Sequence, residues 1–413
     1  MVTPPLVVKL GGDALASPER IVAAARRLAE RRRSVPVVAV ASARRGVTDH
    51  LLGLVEQVRD AGLTGATAGG LAAADRAAAA GEIVAASLLV LALEGVGIPA
   101  VALDARESGL ASSGHSGRAR LTAVKPARVQ ALLSRGVVPV VAGFQGWHRG
   151  RVTTLGRGGS DTTAVALASA LGAAECELVK EAGGVLTADP KLVPEAERIP
   201  AASHRFLSEL ASTGARVIHH PAAAWAEREG LPLRFTAIAE TEWSTEVTST
   251  THDSSRWAVT LRAGRSRFST PLGRAVACDL QPRLQRRLWE AGLTAEAEVL
   301  RDANGWRLDL LADAPDLDDC LWAVGRLVGM QERPVEAQRD LSTVTVVTAA
   351  PTHPRTIDGA VQDALAQTAV PLLGTAVHPH RTAFLVDDAD GPDLLRAVHD
   401  RIAARVPARL GAA

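Results

Sequence analysis

Five short runs rich in Val, Ala and Leu, at 6–10, 36–40, 99–103, 137–141 and 177–179, are separated by Ala/Arg/Glu-rich stretches of helical character. A strand that is apolar at consecutive positions must be covered on both faces. The segment from residue 2 to about 239 therefore predicts an α/β fold, a mostly parallel sheet sandwiched by helices. Ligands on such sheets sit outside the carboxyl ends of the strands, and the glycine-rich segments described below all follow strands.

At 413 residues the chain is too long for one ordinary core. A Thr/Ser/Glu-rich stretch at 239–255 reads as a linker, and two similar blocks follow it. The first predicts strand 257–261, helix 281–291, strands 295–300 and 306–311, and helix 317–327. The second predicts strand 343–347, helix 357–367, strands 372–377 and 382–386, and helix 392–403. This repeated βαββα order predicts two copies of one small α+β module, whose open sheet edges favour a homodimer or higher homo-oligomer.

With 47% hydrophobic and 22% charged residues the composition is that of a soluble globular protein, and a formal net charge of +1 provides no field for nucleic acid. No apolar stretch of spanning length is free of charge or glycine, so no membrane partner and a cytoplasmic location are expected. Cys176, Cys278 and Cys320, odd in number and far apart, suit a reducing compartment with neither disulfides nor a zinc site.

Gly156-Arg157-Gly158-Gly159-Ser160-Asp161 runs directly into a small-residue apolar stretch, which places two adjacent glycines at the mouth of a helix. Unpaired amides at a helix N-terminus carry partial positive charge, and glycine lets an anion approach them. A second glycine turn, Gly11-Gly12, closes the strand that contains Lys9. A lysine inside an apolar strand either finds an anion or snorkels to water. Lysine occurs only at 9, 125, 180 and 191 in a chain that otherwise uses arginine, which favours a dedicated role for a compact cation. Adjacent His219 and His220 point apart in most backbones, so no metal site is expected there.

In combination these motifs resemble the aspartate kinase family, and the resemblance covers essentially the whole chain. It rests on 138–146 leading to 153–161, together with 42–49, Gly81-Glu82, 186–191 and 214–219, in that order. It implies an amino acid kinase domain over 1–250 and two βαββαβ ACT-like modules at 256–335 and 336–413. The implied activity is phosphorylation of the side-chain carboxylate of aspartate by ATP with Mg²⁺, giving 4-phospho-aspartate. Lys9, Asp161 and Arg216 would be catalytic, with Asp161 orienting the two cations. Ser42, Thr48, Glu82 and Arg157 would hold the amino acid. Gly11, Gly12, Gly158, Gly159, Lys180, Glu181 and Lys191 would hold the nucleotide. Duller roles stand beside these: Glu82 as a helix cap, Arg157 and Asp161 as a structural pair, Ser42 and Thr48 as turn residues.

The chain departs from the family pattern at four places. Asp13-Ala14 replaces two hydroxyl residues after the first glycine pair, and an extra carboxylate near phosphates repels them unless it meets a cation. Lys180-Glu181-Ala182-Gly183-Gly184 stands where the family has Thr-Asp-Val-Asp-Gly. Arg216 replaces a lysine, and His219-His220-Pro221 lacks a Pro-Arg pair. Two further functions are therefore carried: a diverged kinase of another amino acid or carboxylate, and a catalytically silent ligand-sensing subunit.

Overall fold

The computed structural model describes residues 3–61, 68–238, 243–250, 256–272, 280, 283–284, 287–288, 293, 295–302, 305–313, 316–328, 336–351 and 355–406. The chain forms two compact units that do not follow one another as simple blocks. The first comprises 1–186, 197–212 and 216–256; the second comprises 187–196, 213–215 and 257–413.

In the first unit, β1 (Leu6–Leu10), α1 (Pro18–Arg32), β2 (Val37–Ala41), α2 (Val47–Asp60) and α3 (Ala68–Gly95) come in order. They are followed by β3 (Ala100–Leu103), β4 (Leu110–Ser113), β5 (Arg120–Val124), α4 (Ala127–Ser134), β6 (Val138–Ala142), β7 (Gln145–His148) and β8 (Arg151–Thr154). Next are α5 (Gly159–Leu171), β9 (Cys176–Lys180), β10 (Val185–Leu186), β11 (Arg198–Ile199), β12 (Ala201–Ser203), α6 (His204–Ser212), α7 (His220–Glu229), β13 (Leu233–Ala237) and β14 (Ser244–Thr248).

The eight-stranded sheet has the order β12-β14-β13-β9-β1-β2-β6-β3. All its described pairings are parallel except β13 with β14. Every residue of β1, β2 and β6 is buried, as their unbroken apolar runs require. Helix α1 starts where Ser17 Oγ accepts from the Arg20 N–H (3.4 Å) and Pro18 supplies a preset φ. Its Ala25 and Leu28 join Ala85, Ala86, Leu89 and Leu93 of α3 in one core with Val8, Ala39 and Val140 of the sheet. Residues 69–95 of α3 are long and apolar enough to cross a membrane. One stripe of this helix is buried while Ile83, Val84 and Leu91 are exposed, and Asp75 and Glu82 interrupt its apolar run.

One expectation fails here. The stretch read as a linker contains β14, which pairs with β12 and β13; residues 239–242 and 251–255 of that stretch lie outside the described residues.

The second unit is built on β15 (Trp257–Leu272), β16 (Ala295–Asp302), β17 (Gly305–Asp313), α8 (Leu317–Val328), β18 (Glu336–Thr348), α9 (Arg355–Thr368), β19 (Gly374–His378), β20 (Arg381–Asp387) and α10 (Gly391–Arg405). The helix expected over 281–291 falls mostly outside the described residues. The two repeats share one antiparallel sheet, β16-β17-β15-β18-β20-β19, because β15 and β18 extend well beyond the short strands the sequence predicts and pair with each other at its centre. Register shifts at 262–267, with Gly264 at φ +65, let the long pair bend.

Candidate active site

Strands β9, β1 and β2 lie side by side, and the N-terminus of α5 sits at the carboxyl end of this trio. Lys9 is the fourth residue of β1, in register with Leu178 of β9 and Val40 of β2, and only 6% exposed. Asp161, in the first turn of α5, is buried and places Oδ1 2.9 Å from Lys9 Nζ. Lys180, the last residue of β9, reaches the same carboxylate at 2.8 Å from Oδ2 and 3.1 Å from Oδ1. The His219 N–H also donates to Oδ2 (3.2 Å). Burial pushes the Asp161 carboxyl upward, but the Lys180 and Lys9 ammonium groups outweigh it and hold it well below the usual carboxylate range. Burial likewise lowers Lys180, against the pull of Asp161. Two cations on one carboxylate leave a net positive charge in a water-poor site, ready for an anion.

The loop entering α5 is shaped for close approach. Gly156 and Gly158 have φ of +76 and +79, and Gly158 is the left-handed cap of α5. A β-carbon on Gly158 would lie 2.8 Å from His219 Cβ. The His219 ring, held near pKa 4 by burial and bonded through Nδ1 to Thr162 Oγ1 (2.9 Å), is neutral at pH 7 and locked in place. Gly158→Ala is therefore expected to lower Tm by several degrees and to weaken nucleotide binding, measured by thermal unfolding with and without MgATP. At the other turn, a β-carbon on Gly12 would sit 2.7 Å from the Ala43 carbonyl oxygen, and one on Gly11 would reach within 3.7 Å of Lys9 Nζ.

Beside this cluster lies a cavity of about 660 Å³, lined by Lys9, Ser42, Thr48, Glu82, Arg157 and the Gly158-Gly159 pair. Glu82 is 3% exposed and its Oε2 has no hydrogen-bond partner. Burial raises its carboxyl to about 7, against the Ala43 backbone and the charge of Lys9. A buried carboxylate oxygen without a protein partner fits a cationic ligand group better than it fits a helix cap. Arg157 is not buried: its side chain is 85% exposed and bonds Asp49 Oδ1 at 2.6 Å on the cavity rim.

A pocket that places Lys9, tied through Asp161 to Lys180, and the glycine cap of α5 beside the open Glu82 Oε2 is suited to a phosphate beside an ammonium. The model of the amino acid kinase family matches residues 4–237. This chain belongs to the amino acid kinase family. The aspartokinase of Thermus thermophilus is 40% identical to this chain over 236 residues, 55% of each chain. That of Corynebacterium glutamicum is 38% identical over 232 residues, 55% of this chain and 53% of its own. The match thus spans about half the length of these curated relatives. Among solved structures, Escherichia coli aspartokinase III in complex with aspartate and ADP has a TM-score of 0.80 at 21% identity, covering 96% of this chain and 99% of its own. The aspartate kinase of Clostridium acetobutylicum has a TM-score of 0.67 at 18% identity, covering 96% and 100%. At those identities the two structures establish the fold.

Several expected residues are exposed and stand outside the buried Lys9–Asp161–Lys180 cluster. Arg216 is exposed, and the second cation on Asp161 is Lys180 instead. A lysine on the neighbouring strand is aimed at α5 by the sheet itself, whereas Arg216 stands on a loop. Lys191 belongs to the second unit, is exposed, and donates its backbone N–H to Asp189 Oδ1 (2.9 Å). Glu181 is paired with Arg45 (2.9 Å), whose guanidinium also holds Asp13. The extra carboxylate after the glycine turn therefore meets its cation within the protein. Sequence reasoning missed Arg45 in this role, and it missed Asp75, which lies buried on the cavity wall.

Proposed function

We propose that this protein transfers the γ-phosphoryl group of ATP to the side-chain carboxylate of aspartate, giving 4-phospho-aspartate and ADP. The observation that carries this reading is that Lys9, tied through Asp161 to Lys180, and the glycine turn opening α5 line one cavity with Glu82, whose Oε2 has no hydrogen-bond partner. The likeness in fold to an Escherichia coli enzyme solved in complex with aspartate and ADP supports it.

The chemistry needs little from the protein beyond alignment and charge. The ionised acceptor carboxylate attacks the γ-phosphorus; the new O–P bond forms as the bond to the β-phosphate oxygen breaks, and ADP leaves with that electron pair. Lys9 and Lys180 neutralise the equatorial oxygens, and Asp161 fixes both side chains in place. The Gly158 amide extends the same cradle, with Gly11 and Gly12 facing it, whereas the Gly159 N–H is already bonded to the Gly156 carbonyl (3.0 Å). Glu82 takes the substrate ammonium, while Ser42 and Thr48 supply hydroxyls. Among the described residues no three His, Cys, Asp or Glu side chains are grouped for a metal. Mg²⁺ fits as a companion of the triphosphate, where it usually keeps several waters and supplies further charge neutralisation. By the same reading, the repeats of the second unit are ACT-like modules.

ADP release on mixing aspartate with MgATP, together with a hydroxamate on adding hydroxylamine, is the expected result. Absence of both signals from protein that binds ATP would remove aspartate as the substrate. Two further readings would then be compared with a panel of aspartate analogues, since Asp13 and Lys180 depart from the family pattern.

The raised Glu82 carboxyl gives a pH test. In the folded state its proton is held up to about 7, above the free value near 4.3, so ionising it in the empty site costs stability as pH rises across that interval. Binding an ammonium requires the ionised form. The aspartate KM is therefore expected to fall as pH rises through about 7, and Glu82→Gln to abolish that dependence while raising KM by about a hundredfold. A Glu82→Gln enzyme with an unchanged KM profile would clear Glu82 of this role.

A further inference from the structure

Asp75 lies on the same face of α3 as Glu82, seven residues and two turns earlier, and lines the same cavity. It is 3% exposed. Its Oδ1 accepts from Thr154 Oγ1 and from the Gly117 N–H, both at 2.7 Å, while Oδ2 has no hydrogen-bond partner. Burial raises this carboxyl, against hydrogen bonding from Thr154, Gly117 and Ser116.

Its two partners come from separate pieces of chain. Gly117 is in the tip that connects β4 to β5, whose residues 116–118 line the cavity. Thr154 ends β8 immediately before the loop 155–158 that opens α5. The tip and the strand end also meet directly, through the Ala119 N–H and the Thr154 carbonyl (2.9 Å). One carboxylate oxygen thus joins the helix that carries Glu82, the tip that walls the cavity and the strand leading to the phosphate loop. A neutral or apolar residue would avoid the desolvation of a buried acid, so packing alone does not account for aspartate at this place.

We propose that Asp75 is a positioning residue for the amino-acid side of the cavity, where it clips the 114–118 tip and Thr154 to α3 so that Glu82 and the cavity wall keep one fixed spacing. The inference rests on the proposed function for its kinetic consequences only. The first turn of α5 is held by its own bonds, from the Gly159 N–H to the Gly156 carbonyl (3.0 Å) and from the Asp161 N–H to the Gly158 carbonyl (2.9 Å). Loosening the clip therefore acts on the amino acid more than on the nucleotide.

The test compares Asp75→Ala, Asp75→Asn and Thr154→Val in the full chain, with aspartate and MgATP as probes. Asparagine retains an acceptor oxygen in the place of Oδ1. Asp75→Ala is expected to raise the aspartate KM tenfold or more, with kcat and the MgATP KM within threefold of the parent. Asp75→Asn is expected to restore the aspartate KM to within threefold. Thr154→Val is expected to raise the aspartate KM, and adding it to Asp75→Ala to bring no further loss. Hydrogen exchange at Gly117 supplies a reading independent of substrate: its protection should be lost in Asp75→Ala and kept in Asp75→Asn.

An unchanged aspartate KM in Asp75→Ala overturns the proposal, as does an equal rise for both substrates, and so does Asp75→Asn failing as badly as Asp75→Ala. If Asp75→Ala does not fold, the asparagine and Thr154 variants decide on the same criteria. If the parent protein does not phosphorylate aspartate, the proposed function fails, and Gly117 exchange alone judges the clip: protection that survives in Asp75→Ala sinks it.

Discussion

Lys9→Met is expected to lower turnover by two or more orders of magnitude while leaving the fold intact. Lys9 sits at the middle of the sheet with its ammonium on Asp161, where the proposed reaction would develop charge as the phosphoryl group moves. Removing one fixed donor from such a site costs about 10²–10³ in kcat. The substitution does not strand Asp161, which keeps Lys180 and the His219 N–H, and a methionine stem fills nearly the same volume in the strand. Coupled detection of ADP gives kcat, and thermal unfolding checks the fold. Turnover within tenfold of the parent would take Lys9 out of the mechanism.

Asp161→Asn is expected to damage both stability and activity. It removes the charge that holds two buried ammonium groups together, so Lys9 and Lys180 are left repelling each other in a place with little water. Breaking a buried ion pair by removing one partner costs about 3–5 kcal/mol. The sign of its pH dependence follows from the direction of the shift. Asp161 has a folded pKa depressed below the unfolded value of about 3.9. Its contribution is fully present well above that value and disappears as pH falls from there toward the folded pKa. The stability gap between parent and Asp161→Asn, measured by denaturant unfolding, should be largest near pH 7 and should narrow below about pH 4. A gap that stays constant down to pH 3 would contradict the ion-pair account. Turnover should fall at least as far as in Lys9→Met, because both cations lose their anchor.

Five strands of the first sheet, β1, β2, β3, β6 and β9, were legible because burial on both faces writes itself as continuous apolar sequence, and Lys9 stood out as the exception in such a run. The glycine-to-helix junction at 156–161 was legible for the same reason, since few backbones need those residues in that order. Strand β14 was hidden by its composition. Thr245 and Val247 point inward from a polar run, and the Thr245 hydroxyl is made acceptable inside by donating to the Ile199 carbonyl (2.6 Å) and accepting from the Val185 N–H (2.9 Å). Spacing along the chain also could not tell which basic residue would reach Asp161. Strand adjacency decided for Lys180 over Arg216, and adjacency is a property of the folded sheet. Asp75 was silent for a related reason: it sits in an alanine-rich helix, and its partners are 42 and 79 residues away.

The two lysines on Asp161 rise from neighbouring strands, Lys9 opposite Leu178 and Lys180 two residues further along, so the register of a hydrogen-bonded sheet governs their separation. Under the proposed function, the turns at 42–46 and 114–118 could therefore be edited to change what is accepted while the framework keeps its hold on the phosphoryl donor.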